Sequence, residues 1–276
     1  MNIGVVGLGL IGGSIAKSAK KNTKFKVYGY DINENVVKNA INEKSIDGEL
    51  TEARLSNCDY VFIPLYPEAV IDYVEKNAGN FKEGAVVIDC AGVKRSVCDK
   101  CFNIAEKHSF IFVGGHPMAG TQYSGFENSK DTMFYNAPFV LTPKENEDIL
   151  ILANAREIIM QLGFGRVSVM TPQKHDKLIA FTSQLAHVVS NAFVKSPSAI
   201  ERKGISAGSY KDLTRVAYLN ENMWTELFLD NKDNLIYELD NIINELKKYS
   251  DAMKNDDPET LRQLLKEGRE AKERAD

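Results

Sequence analysis

The chain has 276 residues, with 34 Lys and Arg against 38 Asp and Glu, a formal charge of −4. Apolar residues make up 43% and charged residues 26%, the balance of a soluble globular protein with a real core. A mildly acidic chain without a Lys/Arg-rich block is poorly suited to grasping nucleic acid, and 8 Pro with 19 Gly are too few for a disordered or collagen-like chain.

From residue 1 to about 170, short apolar runs alternate with helical stretches. The strand candidates are 2–6, 26–30, 60–63, 86–89, 111–114, 139–142 and 167–170, most of them rich in Val, Ile, Phe or Tyr and bounded by Gly, Pro or Asp. Near-continuous apolar runs indicate strands buried on both faces, as in a parallel sheet covered by helices. Segments such as 12–21 and 33–43 are long enough for crossover helices, so the expected fold class is α/β, a Rossmann-like doubly wound parallel sheet. The first 14 residues lack a basic region and are broken by glycines, unlike a signal peptide. The longest apolar uncharged stretch, 178–194, is interrupted by Thr182, Ser183, Gln184, His187, Ser190 and Asn191 and reads as a helix buried in protein, not a membrane span. Four cysteines without an export signal are expected as reduced thiols, and the expected compartment is the cytoplasm.

The character changes at Thr171-Pro172, where Thr can cap a helix and Pro is preorganised for its first turn. No convincing strand follows. Leu235, Leu239, Ile242, Leu246, Tyr249 and Met253 form a heptad-like stripe, and a last helix carries Leu261, Leu264 and Leu265. The expected organisation is a nucleotide-binding domain over 1–170 and an all-helical domain over 171–276, the latter joining two subunits into a homodimer.

Gly7-Leu8-Gly9-Leu10-Ile11-Gly12 is a G-x-G-x-x-G that follows the first strand and opens the first helix. Gly7 permits the tight turn, Gly9 lets backbone approach a pyrophosphate, and Gly12 lets helix and strand pack closely. The free N–H groups of the helix start, at Leu10 and Ile11, suit the anion. Asp31 ends the second strand 19 residues after Gly12, where a carboxylate accepts ribose hydroxyls and repels a 2′-phosphate. NAD is therefore favoured over NADP, with a flavin as the minor alternative. A bound NAD implies hydride transfer.

His116, in G-G-H-P-M-A-G directly after a strand, is the candidate base for a hydroxyl proton. Arg215, in the helical half, is a candidate for holding a carboxylate bidentately. Other features have ordinary readings. Cys98 and Cys101 are two thiols on one helix face, without the two further ligands that tetrahedral zinc needs, and no metal site is expected. His108 reads as a solvated connector residue. His175-Asp176 falls in the first turn of a helix, where Asp favours the dipole, and reads as capping. Trp224 reads as core, with a pocket role left open by its neighbourhood.

Four segments together resemble the prephenate dehydrogenase family, which includes the arogenate dehydrogenases: G-L-G-L-I-G-G-S, H-P-M-A-G, H-D-K-L-I-A-F-T-S-Q-L-A-H and D-L-T-R-V-A followed by M-W. The resemblance covers nearly the whole chain in order. It implies oxidative decarboxylation of prephenate, a small dicarboxylate, to 4-hydroxyphenylpyruvate with NAD. His116 matches the family base and Arg215 the arginine on the substrate's side-chain carboxylate. His187 and Asp212 match other pocket residues, and Lys94 matches a lysine near substrate. One departure is Gly92, where the family loop usually has a serine; any role carried to that position falls away. The alternatives are an arogenate dehydrogenase, a non-catalytic NAD-binding sensor, or a different two-domain dehydrogenase.

Overall fold

The computed structural model describes residues 1–121, 123–201, 204–205 and 207–275. In its first half β1 (Asn2–Val6), α1 (Leu10–Asn22), β2 (Lys26–Tyr30), α2 (Glu34–Asn42), β3 (Gly48–Glu49), α3 (Glu52–Leu55), β4 (Tyr60–Ile63), α4 (Pro67–Asn77), β5 (Val86–Asp89) and α5 (Arg95–Ala105) follow one another. They lead into β6 (Ile111–Pro117), β7 (Pro138–Thr142), α6 (Ile149–Gln161) and β8 (Arg166–Val169). The eight strands form one sheet in the order β3-β2-β1-β4-β5-β6-β7-β8.

The pairings are parallel except that between β6 and β7, which is antiparallel with His116 opposite Val140. The expected parallel sheet thus carries an antiparallel pairing at that point. Among its described residues, the connection from β6 to β7 holds a single 3-10 turn at Phe126–Asn128 and no crossover helix, so the returning strand reverses direction. The two-residue β3 has no apolar run to announce it.

Both faces of the sheet are covered. Phe62 and Ile88 belong to one buried apolar cluster with Ile3, Val5 and Ile15 of β1 and α1. Val61, Ile63 and Val87 belong to a second, with Val70, Val74 and Val97 of α4 and α5. Neighbouring residues on one strand thus feed opposite layers, the period-2 alternation that a doubly covered sheet demands.

Thr171 caps the helical half, its hydroxyl accepting the Lys174 N–H at 3.2 Å. There follow α7 (Pro172–Ile179), a π-helical segment (Ala180–Leu185), α8 (Ala186–Phe193), α9 (Ser198–Glu201), α10 (Gly208–Thr214), α11 (Glu221–Asp230), α12 (Lys232–Lys254) and α13 (Pro258–Ala275). Within the stretch expected as a helix buried in protein, Leu178, Phe181 and Phe193 are exposed in the single chain. Among the described residues, no helix is long and apolar enough to cross a membrane.

The two halves are clamped where α4 and α5 begin. Asp176 of α7 accepts the backbone N–H groups of Lys94 and Arg95 at 2.8 and 2.9 Å, and Glu226 of α11 accepts that of Glu68 at 2.8 Å. Each carboxylate therefore satisfies orphan donors at a helix N-terminus in the other half, on the favourable side of the dipole. Arg95 adds ion pairs to Asp176 and Asp233.

Candidate active site

The glycine turn has the geometry its spacing predicts. Gly7 sits at φ +92°, a conformation that a side chain rarely adopts. A Cβ on Gly12 would lie 1.8 Å from the Gly7 carbonyl oxygen, so only glycine lets helix and turn approach this closely. A Cβ on Gly9 would meet nothing within 4 Å, which leaves open space above the start of α1. No side chain caps that helix. Leu10 and Ile11 form its first turn, where backbone N–H groups favour an anion. Asp31 accepts the Leu8 N–H at 2.9 Å through Oδ2 and the Asn33 N–H at 2.9 Å through Oδ1. A carboxylate offers about four acceptor directions, so capacity remains for a diol. An open, uncapped, glycine-lined helix start beside a strand-end carboxylate fits a dinucleotide.

His116 projects from the end of β6 and meets the helical half. Its Nδ1 lies 2.9 Å from Nε2 of His175, whose Nδ1 lies 2.7 Å from Oδ1 of Asp176. His175 and Asp176 are buried, whereas His116 keeps part of its surface open. Capping was the expected role of His175-Asp176; Asp176 does cap, but α5 rather than its own helix, and His175 faces the candidate base. Sequence spacing gives no signal for a pair 59 residues apart.

Burial, then His175, then Lys94 press the His116 pKa well below the usual imidazole range. The ring is neutral at neutral pH, as a proton acceptor requires. Burial works to raise the Asp176 pKa, but donors from His175, Arg95 and Lys94 outweigh it and hold the carboxyl below its usual range.

Lys94 was expected near substrate. Its side chain is fully buried, with the ammonium ion-paired to Asp89 and donating to the Gly115 carbonyl at 2.6 Å. Asp89 in turn accepts the Gly115 N–H at 3.0 Å and the Ala91 N–H at 2.9 Å. An ammonium this deep is held by its counter-ion and a backbone carbonyl. Its place is under the residue that precedes His116.

Gly92 has a packing reason. A Cβ there would lie 3.3 and 3.4 Å from the two methyl carbons of Leu227, so a serine would fit only tightly against α11.

His187 lies on α8, stacked on Trp224 with ring centroids 4.1 Å apart. Trp224 also packs on Phe228, with ring centroids 5.2 Å apart. The Nδ1–H of His187 donates to the Ser183 carbonyl at 2.8 Å, which leaves Nε2 as an acceptor. Burial lowers the His187 pKa, the Ser183 bond opposes this, and the Arg215 guanidinium adds to the lowering. Arg215 and His187 are thus in electrostatic reach. Arg215 and Asp212 are both exposed, at the end of the short helix α10.

His175 and His187 are 12 residues apart, about a third of a turn off-face in a regular α-helix. The intervening π segment turns less per residue and swings His187 back toward the face of His175. Gln184 and Asn231 stabilise it from behind: Asn231 donates to Gln184 Oε1 and to the Asp176 carbonyl, both at 2.8 Å.

Residues 15–176 match the family pattern "Prephenate dehydrogenase, nucleotide-binding domain" and residues 171–267 "Prephenate dehydrogenase, dimerization domain". The chain belongs to the prephenate dehydrogenase family. The prephenate dehydrogenase of Bacillus subtilis is 30% identical over 271 residues, covering 95% of this chain and 72% of the relative. A crystal structure of prephenate dehydrogenase from A. aeolicus, in complex with hydroxyphenyl propionate and NAD+, superposes with a TM-score of 0.87 at 30% identity, over 100% of this chain and 98% of that one. The arogenate dehydrogenase of Synechocystis gives 0.84 at 26% identity over the full length of both chains. The chain is an NAD-dependent dehydrogenase with a parallel-dominated nucleotide-binding sheet and a helical half of the dimerization type. Among the described residues, Cys98 and Cys101 are free and buried, and burial raises both thiols well above their usual range, Cys98 to about 12.

Proposed function

We propose that this enzyme oxidatively decarboxylates prephenate to 4-hydroxyphenylpyruvate, with His116 as the base and Arg215 on the side-chain carboxylate. The observation that carries the reading is the meeting of the halves: a neutral imidazole from β6 stands against the helical half at 2.9 Å, its Nδ1 engaged and its Nε2 left for substrate. NAD, when bound, supplies the hydride acceptor.

The chain's own task is to hold a proton. His116 takes the ring hydroxyl proton as the C4–H bond is lost, which makes that oxygen a carbonyl. The ring carboxylate leaves as CO2 and its electron pair restores aromaticity, pushing negative charge back onto the oxygen. The same imidazolium then returns the proton, so the ring ends as a phenol and His116 ends neutral. Aromatisation drives the step forward. Arg215 offers a planar fork to a carboxylate, and its cationic field discourages protonation of His187 beside it. His187 presents an acceptor and Trp224 an apolar wall. We place the cofactor on Gly7, Gly9, Leu10, Ile11, Gly12 and Asp31.

We further infer a homodimer through the helical half. Ile236, Tyr237, Ile243, Leu246 and Met253 of α12 are exposed in the single chain, as are Phe181 and Phe193, apolar side chains of the kind a subunit interface covers.

A second reading has one observation in its favour. Asp212 stands three residues before Arg215, one turn away on the same side, where a carboxylate can receive an ammonium next to a carboxylate bound by Arg215. That arrangement suits arogenate. NADH formation measured with prephenate and with arogenate decides: a kcat/KM at least tenfold higher with prephenate supports the first reading, and the reverse ratio overturns it.

A further inference from the structure

The contacts behind His116 have a fixed direction. The Asp176 carboxyl is held ionised, so it accepts only, and the Nδ1 of His175 must carry the hydrogen between them. The Nε2 of His175 is then a lone pair in the neutral ring. At 2.9 Å it accepts from His116, whose Nδ1 must carry the hydrogen. One lone pair remains in the chain, on His116 Nε2. The polarity of the whole run follows from a single anion. That anion is pinned in turn by the backbone N–H groups of Lys94 and Arg95 and by the Arg95 side chain.

We propose that His175 and Asp176 are positioning residues for the reaction: they fix His116 as the Nδ1–H tautomer, with its basic nitrogen toward substrate, and they support the imidazolium that forms there. The inference rests on His116 being the base. When His116 gains a proton at Nε2, its Nδ1–H becomes a stronger donor to His175, and the negative charge two contacts away opposes the new positive one. No second proton transfer is needed. The charged groups around the pair are Asp176 from α7, Arg95 from α5, and Lys94 and Asp89 from the loop after β5 and the strand itself. The last two are each other's counter-ions, and Arg95 is shared between Asp176 and Asp233, so Asp176 is the carboxylate in direct contact with the pair. Because Asp176 also caps α5, the base acquires its correct tautomer only while the two halves are clamped together.

His175→Phe keeps a ring and removes the acceptor. It is expected to cut kcat about 10²-fold while the KM for NAD changes little, and to lower the melting temperature because Asp176 loses a buried donor. His175→Gln, whose amide oxygen reaches the position of the lost nitrogen, is expected to recover at least tenfold of that loss. Steady-state kinetics of both, beside His116→Asn, separate the outcomes. A His116→Asn enzyme that turns over normally removes the base itself. A dead His116→Asn with His175→Phe within twofold of the parent overturns the relay alone, as does a Gln variant no better than Phe. Should the Phe variant fail to fold, 15N spectra of histidine-labelled parent enzyme read the tautomer directly. A protonated Nδ1 on both His116 and His175 is expected, and a protonated Nε2 on His116 sinks the inference.

Discussion

Lys94 Nζ donates to the carbonyl oxygen of Gly115 at 2.6 Å, the residue directly before His116, and pairs with Asp89 in a fully buried site. The loop after β5 is thereby bolted to the end of β6, and the base is aimed by a contact that reaches no solvent. Lys94→Met removes the cation while keeping much of the volume. Asp89 is then a buried, uncompensated carboxylate, which typically costs about 3–5 kcal/mol. Urea unfolding should show that loss, and the double variant with Asp89→Asn should recover part of it. A Lys94→Met enzyme of unchanged stability but raised KM would return Lys94 to the substrate side.

His116→Asn should lower kcat by about 10²–10⁴-fold with little change in KM, the pattern for loss of a general base. Asparagine preserves size and polarity at the end of β6 but accepts no proton at neutral pH. Initial-rate measurements at saturating NAD test this. A fall confined to KM would make His116 a binding residue.

Those two residues mark what the sequence could disclose. Seven of the strands were legible, because short Val- and Ile-rich runs bounded by Gly, Pro or Asp have few other uses. The Gly7-to-Gly12 turn and Asp31 were legible because the dinucleotide turn ties function to local spacing. The direction of β7 was not, since nothing local in 139–142 records whether the preceding connection crosses the sheet. Nor was the His116–His175 contact, which joins a strand end to a helix start through tertiary packing alone. The burial of Lys94 was not legible for a related reason: nothing local in 89–94 records that its ammonium pairs with Asp89 inside the fold.

Arg215→Ala should raise the KM for substrate by about 10–100-fold with a smaller effect on kcat, the worth of a charge-assisted contact of about 1.5–3 kcal/mol. Its exposure in the single chain means that removal leaves no buried charge behind, so the melting temperature should hold. The same substitution takes a cation away from His187, whose pKa should rise toward its ordinary value. An unchanged KM would dissociate Arg215 from the carboxylate.

Asp31→Ala should relax the preference for NAD over NADP, because the carboxylate that repels a 2′-phosphate is gone. The variant also strands the N–H groups of Leu8 and Asn33, both of which Asp31 accepts at 2.9 Å. Binding of both cofactors should therefore weaken, with NAD losing more. Comparing KM for the two cofactors checks this; an undiminished NAD preference would mean that discrimination lies elsewhere.

Stability should fall on mild acidification, well before the carboxylates titrate. Burial lowers the pKa of His116, His175 and His187 in the folded chain, each against partners that shift it further or partly oppose it. Unfolded, the same rings take up protons near pH 6.5. Below that pH, and down to the folded pKa of each ring, the unfolded chain binds more protons, so the unfolding free energy drops as pH falls. The paired carboxyls act in a lower window. Asp176 is held below its ordinary 3.8 and Asp233, hydrogen-bonded by Arg95, at about 2, so their stabilisation persists until the pH falls below 3.8. The melting temperature is thus expected to decline between about pH 7 and pH 5, and His116→Asn, which deletes the most strongly shifted ring, should flatten that slope. A melting temperature level across that interval in the parent enzyme would contradict the neutral, enclosed imidazole on which the proton step depends.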